Sequence, residues 1–306
     1  MYRFQAPILE SARLPGGHHR LVVRAPLIGA AARPGQFLHV WCHDPATIAY
    51  PPSAAVLRRP YGISRVWSQE AVEILLRVRG VGGRVLAGRR AGESLDIIGP
   101  LGHGFHISES LRVAVIVAGG SGLAPVPFLV ETLVARGIRA VLLAGAADDE
   151  KIPFAVDRPS GTLTGPLGVQ KGGQPGRATL LALEALGAEV TFVSEAVEGL
   201  LVSELLESHL GELSGDGAEV MAIGPRAMLK RIVALTDGCL PVQVSLEERM
   251  ACGLGACRSC VVPVHHQLGR VAGGTRPGDA DLVYRTVCRD GPVFRGSEIA
   301  WELLEP

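Results

Sequence analysis

Cysteine is scarce in this chain, six in 306 residues. Small disulfide scaffolds carry far more, and Met1-Tyr-Arg-Phe-Gln-Ala-Pro7 has no basic stretch leading into an apolar core, so a secreted disulfide framework is not expected and the cytoplasm is the expected compartment. No apolar run approaches the ~18 residues that span a bilayer, which excludes a membrane helix. Neither sign of charge is in excess. Thirty Lys and Arg face thirty Asp and Glu, leaving no electrostatic reason to expect nucleic acid or an anionic membrane as partner. What is present is 47% hydrophobic and 20% charged, the composition of a globular chain. The length exceeds what one hydrophobic core fills, so two or three domains are expected.

The few cysteines are not spread evenly. Cys252, Cys257 and Cys260 lie in Ala251-Cys-Gly-Leu-Gly-Ala-Cys-Arg-Ser-Cys260, and Cys288 follows at a distance. C-x4-C-x2-C with one remote cysteine is the plant-type ferredoxin spacing, in which four thiolates hold a [2Fe–2S] cluster. Three ligands within nine residues must wrap the backbone round a compact anionic centre. Gly253 and Gly255 supply positions where positive φ costs little, so that loop amides can point at the sulfurs. Structural zinc is the competing reading, but its sites usually draw on two close ligand pairs and the second pair is missing here. Cys42 and Cys239 read as small buried hydrophobes, and His265 and His266, lacking ligand spacing, as loop surface.

From Arg20 to about Gly99, short apolar runs are broken by turn residues: Leu21–Arg24, Phe37–Trp41, Val72–Val78 and Leu95–Ile98. This is the pattern of antiparallel strands in a small barrel. The character then changes. Val113–Val117 is a continuous apolar run suited to a buried parallel strand, followed by a glycine turn and a helix to about Arg136. Strand signals at Ala140–Leu143, Glu189–Val193 and Glu219–Ile223, with a helical stretch from Val202 to His209, predict a doubly wound α/β domain. Pro159 to Gly176 is rich in Gly, Pro and Thr and reads as an exposed excursion.

Several turns have the chemistry of phosphate cradles. A strand ending at Ala118 and a helix beginning near Ala124, with Pro125 in its first turn, place the amides of Gly120, Ser121 and Gly122 at a helix N-terminus that stabilises a dinucleotide diphosphate. Gly224-Pro225 adds a second turn at the same sheet edge. Glycine-rich strand-to-helix turns also arise for packing alone. Gly80-Val-Gly-Gly83, with Arg84 nearby, could admit a second diphosphate. Arg58-Arg59-Pro60-Tyr61 pairs a guanidinium fork with an aromatic face, although a surface arginine beside a packed tyrosine would look the same.

Taken in order along nearly the whole chain, these pieces resemble the ferredoxin–NADP reductase superfamily, and most closely the iron–sulfur electron-transfer subunits of NAD-dependent dihydroorotate dehydrogenase. Arg59-Pro60-Tyr61-Gly62 is similar to the Arg-Pro-x-Ser flavin motif. Leu76-Arg77-Val78 with Gly80, Gly82, Gly83 and Arg84 is similar to the next flavin strand and its Gly-x-Gly-Thr turn. Gly99-Pro-Leu-Gly-His-Gly-Phe105 resembles Gly-Pro-Leu-Gly-x-Gly-Phe, and Ala118-Gly119-Gly120-Ser121-Gly122-Leu-Ala-Pro125, with Gly224 and Pro225, the nicotinamide-dinucleotide turns. Ser245 to Cys257 with Cys288-Arg-Asp-Gly-Pro-Val-Phe294 is the most specific match. There are departures. Gly62 replaces a hydroxyl residue that faces the flavin N5, leaving backbone or Ser64 to serve; Gly83 replaces a threonine at the FAD diphosphate; Ile223 stands where a cysteine often precedes Gly-Pro; and 27 residues between Cys260 and Cys288 exceed the usual hairpin.

The resemblance implies a multidomain β plus α/β fold: an antiparallel FAD-binding β-barrel at 1–108, a doubly wound parallel-sheet NAD domain at 109–238, and a small [2Fe–2S] segment at 239–306. It also implies that electrons pass from the FMN of a separate dihydroorotate dehydrogenase catalytic subunit, through [2Fe–2S] and FAD, to NAD+, in pyrimidine (UMP) biosynthesis, within a hetero-oligomer and with no acid–base residue required. Ser194-Glu-Ala-Val-Glu198 is acidic and lacks arginine, which favours NAD over NADP. Two alternatives stand beside this: a flavin and iron–sulfur reductase serving a hydrogenase, a transhydrogenase or a ferredoxin, and a zinc-stapled, non-catalytic binding module.

Overall fold

The computed structural model describes residues 1–42, 57–67, 70–148, 152, 183–265 and 282–304. The excursion expected at Pro159–Gly176 and His266 lie outside them. Among the described residues no helix is long and apolar enough to cross a membrane.

The N-terminal part is an antiparallel sheet of β1 (Tyr2–Leu14), β2 (His18–Arg24), β3 (Phe37–Val40), β4 (Arg59–Gly62), β5 (Arg65–Trp67), β6 (Ala71–Arg77) and β7 (Ser94–Leu101), ordered β4-β3-β7-β1-β2-β6-β5. It curls into a barrel because alternate residues of every strand are apolar and converge: Ala6, Ile8, Leu21, Val23, Leu38, Val40, Ile74, Leu76, Leu95 and Ile97 form one buried core. Helices α1 (Pro26–Ala31) and α2 (Gly80–Ala87) attach to it. The expected strands appear where the alternation placed them. Strand β1 was not foreseen, because only Ala6 and Ile8 show the alternation before a bulge between Ile8 and Glu10 breaks its register with β2. Gly80–Gly83, expected as a turn, instead forms the first turn of α2.

The second sheet contains β8 (Val113–Gly119), β9 (Arg139–Ala146), β10 (Glu189–Ser194) and β11 (Ala218–Ile223), joined through α3 (Val126–Ala135), a short α4 (Glu195–Glu198) and α5 (Val202–Leu213), with α6 (Arg226–Thr236) after β11. Its order, β10-β9-β8-β11 continued by β12 (Val242–Ser245) and β15 (Val293–Arg295), is doubly wound. Burial on both faces explains the continuous apolar runs. Val115, Val117, Val141, Leu143 and Val220 pack towards α5 and α6, while Ala114, Ile116, Ala118, Leu142 and Met221 pack towards α3.

The sheet does not stop at 238. Strand β12 (Val242–Ser245) pairs parallel with β11, and β15 (Val293–Arg295) pairs antiparallel with β12. Between them a hairpin, β13 (Val261–His265) and β14 (Leu282–Thr286), stands on the same core through Val262, Val287, Cys260 and Cys288. The barrel shares this core as well, since Phe37 and Leu101 pack in it with Leu246 and Met250. An Arg65–Glu131 ion pair, Nε to Oε1 2.6 Å, ties β5 to α3.

Candidate functional site

The four clustered cysteines converge. Leu246 and Met250, both buried, anchor the segment after β12 to the core and so hold Cys252 and Cys257 in a loop above it. Cys260 precedes β13 and Cys288 follows β14, and the Val287 N–H donates to the Cys260 carbonyl at 2.9 Å. Gly253 (φ 69°) and Gly255 (φ 82°) adopt the left-handed backbone expected of them, and Arg258 (φ 55°) shares it. The turns aim amides at sulfur: Leu254 N–H donates to Cys252 Sγ at 3.3 Å, Cys257 N–H to the same atom at 3.5 Å, and Gly255 N–H to Cys288 Sγ at 3.0 Å.

The thiols fall into two interacting pairs, Cys252 with Cys257 and Cys260 with Cys288. The hydroxyl and amide of Ser259, then Cys252, bring the exposed Cys257 down to about 6, while burial and the neighbouring Cys260 thiol push Cys288 up to about 12. A cation beside the buried Cys288 sulfur would offset the burial that raises it. Among the described residues no three His, Cys, Asp or Glu side chains gather round one ion position. Four thiols in two pairs, with amide donors on the sulfurs, fit a two-iron centre. Of the other cysteines, Cys42 is buried as expected but Cys239 is exposed. His265 is not loop surface: it ends β13, half-buried, with Nε2 3.5 Å from Glu302 Oε1.

The loop rests on the outer face of the barrel. Residues paired across β4, β3 and β7 share that face in rows: Gly62, Phe37 and Leu101; then Pro60, His39 and Ile98. His39 is fully buried. A Cβ on Gly253 would lie 2.6 Å from its Nδ1, so imidazole and glycine fit face to face. Burial, then the Arg58 charge, lower its pKa to about 4. Arg58 donates to the carbonyls of His39 (3.3 Å) and Asp96 (2.9 Å), and its Nη2 lies 2.8 Å from Asp96 Oδ2. A cavity of about 330 Å³ opens beside it, bounded by Arg3, Trp41, Leu57, Asp96 and Cys252. The sequence reading missed His39. Its one signal was a lone polar residue in the apolar run Phe37-Leu-His-Val40.

The flavin-motif residues separate into groove and core. Pro60 and Gly62 lie on the outer face of β4, and a Cβ on Gly62 would come 3.3 Å from Pro125 at the start of α3, so this glycine admits the α/β domain. Arg59 is exposed. Tyr61, expected to offer an aromatic face, packs against the barrel core with its hydroxyl 4.0 Å from Cys42 Sγ, and burial holds its phenol well above the ordinary range. Leu76 is also inside the core, which leaves only its backbone to meet a cofactor. Arg77 and Val78 are half-buried. Ser64 is fully buried with an unpartnered hydroxyl.

At α2, Gly83 is a packing glycine, its absent Cβ facing Val78 Cα at 3.3 Å, and Gly82 is buried beside it. Gly80 (φ 60°) opens on free space. No side chain caps this helix and its first turn has no acid, while Arg59, Arg77, Arg79 and Arg84 form no ion pair among the described residues. Free amides with unpaired guanidinium groups suit a dianionic diphosphate.

The third element is the crevice where the doubly wound sheet reverses, between the carboxyl ends of β8 and β11. Both expected turns meet there. Gly120–Leu123 forms a tight 3-10 turn, and α3 begins at Val126 with Pro125 as its cap, two residues later than expected. Gly119 and Gly224 both face the movable end of Met228, whose Sδ would lie 2.5 Å from a Cβ added to Gly119 and whose Cε 2.5 Å from one added to Gly224. Gly122 abuts the Ile223 carbonyl and Gly224 Cα. Gly120 (φ 55°) has open space before it and Ser121 is exposed, so these two face the crevice while their neighbours form its floor. Pro225 caps α6. Ile223 is buried against the α3 side of the sheet. Glu195 and Glu198 are both exposed, and Glu198 turns back to accept the Ser194 N–H at 2.7 Å, so it caps α4.

A barrel packed on a doubly wound sheet at such a crevice is the architecture of ferredoxin–NADP reductase-type enzymes. Among solved structures the chain is similar to an NADH-dependent reduced ferredoxin–NADP oxidoreductase, with TM-score 0.70, 21% identity, and coverage of 97% of this chain and 90% of that one. It is also similar to phthalate dioxygenase reductase, with TM-score 0.54, 14% identity, and coverage of 94% and 77%. The family profile of the iron–sulfur cluster binding domain of dihydroorotate dehydrogenase B matches residues 247–300. Over nearly the full length the chain is similar to the dihydroorotate dehydrogenase B (NAD(+)) electron transfer subunit of Enterococcus faecalis, 32% identical over 295 residues, 95% of this chain and 96% of that protein. The Caldanaerobacter subterraneus protein of the same name is 30% identical over 301 residues, 97% and 98%. The chain belongs to this family of electron transfer subunits.

Proposed function

We propose that the chain carries electrons from an FMN-containing dihydroorotate dehydrogenase catalytic subunit, with which it forms a hetero-oligomer in the cytoplasm, to NAD+ for pyrimidine (UMP) biosynthesis. The observation that carries this is the arrangement of Cys252, Cys257, Cys260 and Cys288 in two amide-supported pairs on the barrel face that also bears the flavin strand.

In this reading 1–108 holds FAD, 109–238 holds NAD and 239–306 holds [2Fe–2S]. Bound FAD exchanges hydride with nicotinamide and single electrons with iron–sulfur, so it is the natural junction between the two carriers. The protein's own tasks are binding and alignment. Arg59 and Arg84, with the amides from Gly80 to Gly83, hold the FAD diphosphate, while Pro60, Tyr61, Gly62, Leu76, Arg77 and Val78 shape the flavin strands. Gly119, Gly120, Ser121, Gly122, Gly224 and Pro225 form the dinucleotide crevice, with Glu195 placed to accept from a ribose hydroxyl. No side chain need transfer a proton.

Anaerobically isolated chain is expected to show flavin and iron–sulfur absorption, to contain iron and acid-labile sulfide, to bleach with NADH, and to support NAD+-linked orotate formation once the catalytic subunit is added. A colourless chain holding one zinc and lacking diaphorase activity refutes the proposal. A coloured, NADH-reducible chain that never yields orotate refutes the named partner.

A further inference from the structure

His39 raises a question that the binding roles above do not answer. It is fully buried, and neither Nδ1 nor Nε2 has a partner at hydrogen-bond geometry. A buried polar group left unpaired is costly, and leucine would fill the same space without that cost. The ring is also in a particular place. On one side it shares a row with Pro60 of the flavin strand and Ile98 of β7. On the other it meets Gly253, where an added Cβ would lie 2.6 Å from Nδ1 and 3.0 Å from Cε1 and Cγ. The backbone of Arg58, one residue before the flavin motif, and that of Cys252, the first thiol of the loop, both act on it electrostatically. So an imidazole whose nitrogens face the Arg58 and Cys252 backbones without closing a well-formed hydrogen bond to either stands between the strand assigned to flavin and the loop assigned to iron.

We propose that His39 is a positioning residue for the iron–sulfur loop: its ring is the floor on which Gly253 lies, and its N–H completes a hydrogen bond to the Cys252 backbone once the four thiolates close round the metal. This rests on the cluster assignment above. It assigns Gly253 a reason beyond its backbone angle, since any side chain there would displace the ring. It also makes His39 the physical link by which the flavin strand fixes the orientation of the first ligand. Groups that orient metal ligands from behind typically change metal affinity by roughly 10–100-fold when removed.

The test uses the full chain, purified without oxygen, with three substitutions: His39→Phe keeps the bulk but removes both nitrogens, His39→Asn restores a side-chain N–H, and His39→Ala removes both bulk and nitrogens. Iron release to a chelator, the low-temperature EPR spectrum of the reduced centre and its midpoint potential are read beside flavin content. The expected result is that His39→Phe retains FAD but releases iron ~10–100-fold faster, with a shifted potential and altered EPR line shape, and that His39→Asn moves all three back towards the parent. If His39→Phe matches the parent in all three, the ring only fills space and the inference is overturned. It is equally overturned if His39→Asn fares no better than His39→Ala. A parent chain without iron overturns the proposed function itself, whereas an iron-bearing parent with indifferent variants overturns only the role of His39.

Discussion

Asp96 offers a sharp test of how the barrel face beneath the iron–sulfur loop is held. Its carboxylate, 4% exposed, takes two cations: Arg58, whose side chain is 16% exposed, and Arg3, which is 67% exposed. Only Arg58 also donates to the carbonyls of His39 and Asp96. Arg58→Ala therefore removes a shielded ion-pair partner and strands two backbone acceptors. Breaking one side of a buried pair costs ~3–5 kcal/mol, and the surviving Arg3 contact with partial solvent access reduces this to about 2–3 kcal/mol. In a chain of this size that lowers the thermal midpoint by about 3–5 °C. Arg3→Ala should leave the midpoint within error, because an exposed pair contributes little. Burial pushes the Asp96 carboxyl up, but hydrogen bonds from Arg3 and Arg58 outweigh it and hold the group below its ordinary value of 3.8. Its folded pKa lies below its unfolded one, so the stabilisation is fully present above 3.8 and disappears as pH falls below that value through the folded pKa. Thermal unfolding of the parent, Arg3→Ala, Arg58→Ala and Asp96→Asn, followed by circular dichroism across that range, checks both halves. Equal losses from the two arginines, or an Asp96→Asn deficit that stays constant in acid, would refute the reasoning.

Other consequences follow from the three binding elements. Gly122→Ala presses a methyl onto the Ile223 carbonyl and Gly224 Cα; overpacking of this kind costs ~1–3 kcal/mol, and NADH bleaching of the flavin should fail while iron content is kept, as seen by anaerobic absorption. Arg59→Ala should weaken FAD binding by about tenfold, the loss of one charge-assisted hydrogen bond to phosphate, measured by flavin fluorescence titration of the flavin-free chain. Cys257→Ser should lose iron and labile sulfide but retain FAD; a variant that keeps full iron would place the ligand elsewhere.

The cysteine spacing and the period-two strands carried most of what the sequence could tell, because both are local patterns. Cys252, Cys257 and Cys260 lie in one loop, and Val113–Val117 shows its burial in five consecutive letters. What stayed hidden depends on partners remote in the chain. Strands β12 and β15 are four and three residues long, too short to show a period, and are strands only because β11 has a free edge. The glycines are the clearest case. Gly80 and Gly120 face open space whereas Gly83, Gly122 and Gly224 meet Val78, Ile223 and Met228, and nothing in the letter G separates a glycine that admits a phosphate from one that admits a neighbouring side chain.

One face of the barrel explains why these parts can work as a relay without a moving arm. Along β3, Phe37 lies in the row of Gly62, which meets the α/β domain at Pro125, and His39 lies beneath Gly253 of the iron–sulfur loop; Trp41, just past the end of β3, borders the cavity beside Cys252. Those three outward positions are two pleats apart in total, about 13 Å at ~3.3 Å per residue. A cofactor seated on the Pro60–Gly62 stretch is thus within reach of the dinucleotide crevice at one end and the thiol loop at the other. Both neighbours are fixed to it through one core that includes Phe37, Leu101, Met250, Cys260 and Cys288. Because strand residues alternate faces, inserting one residue in β3 would turn His39 into the barrel and bring Leu38 or Val40 out, uncoupling the iron–sulfur loop from the flavin strand while leaving every cysteine in place. Because Leu38 and Val40 belong to the barrel core and β3 pairs with the strand assigned to flavin, such an insertion should lose FAD together with stable iron, which absorption and iron analysis of the same preparation would read together.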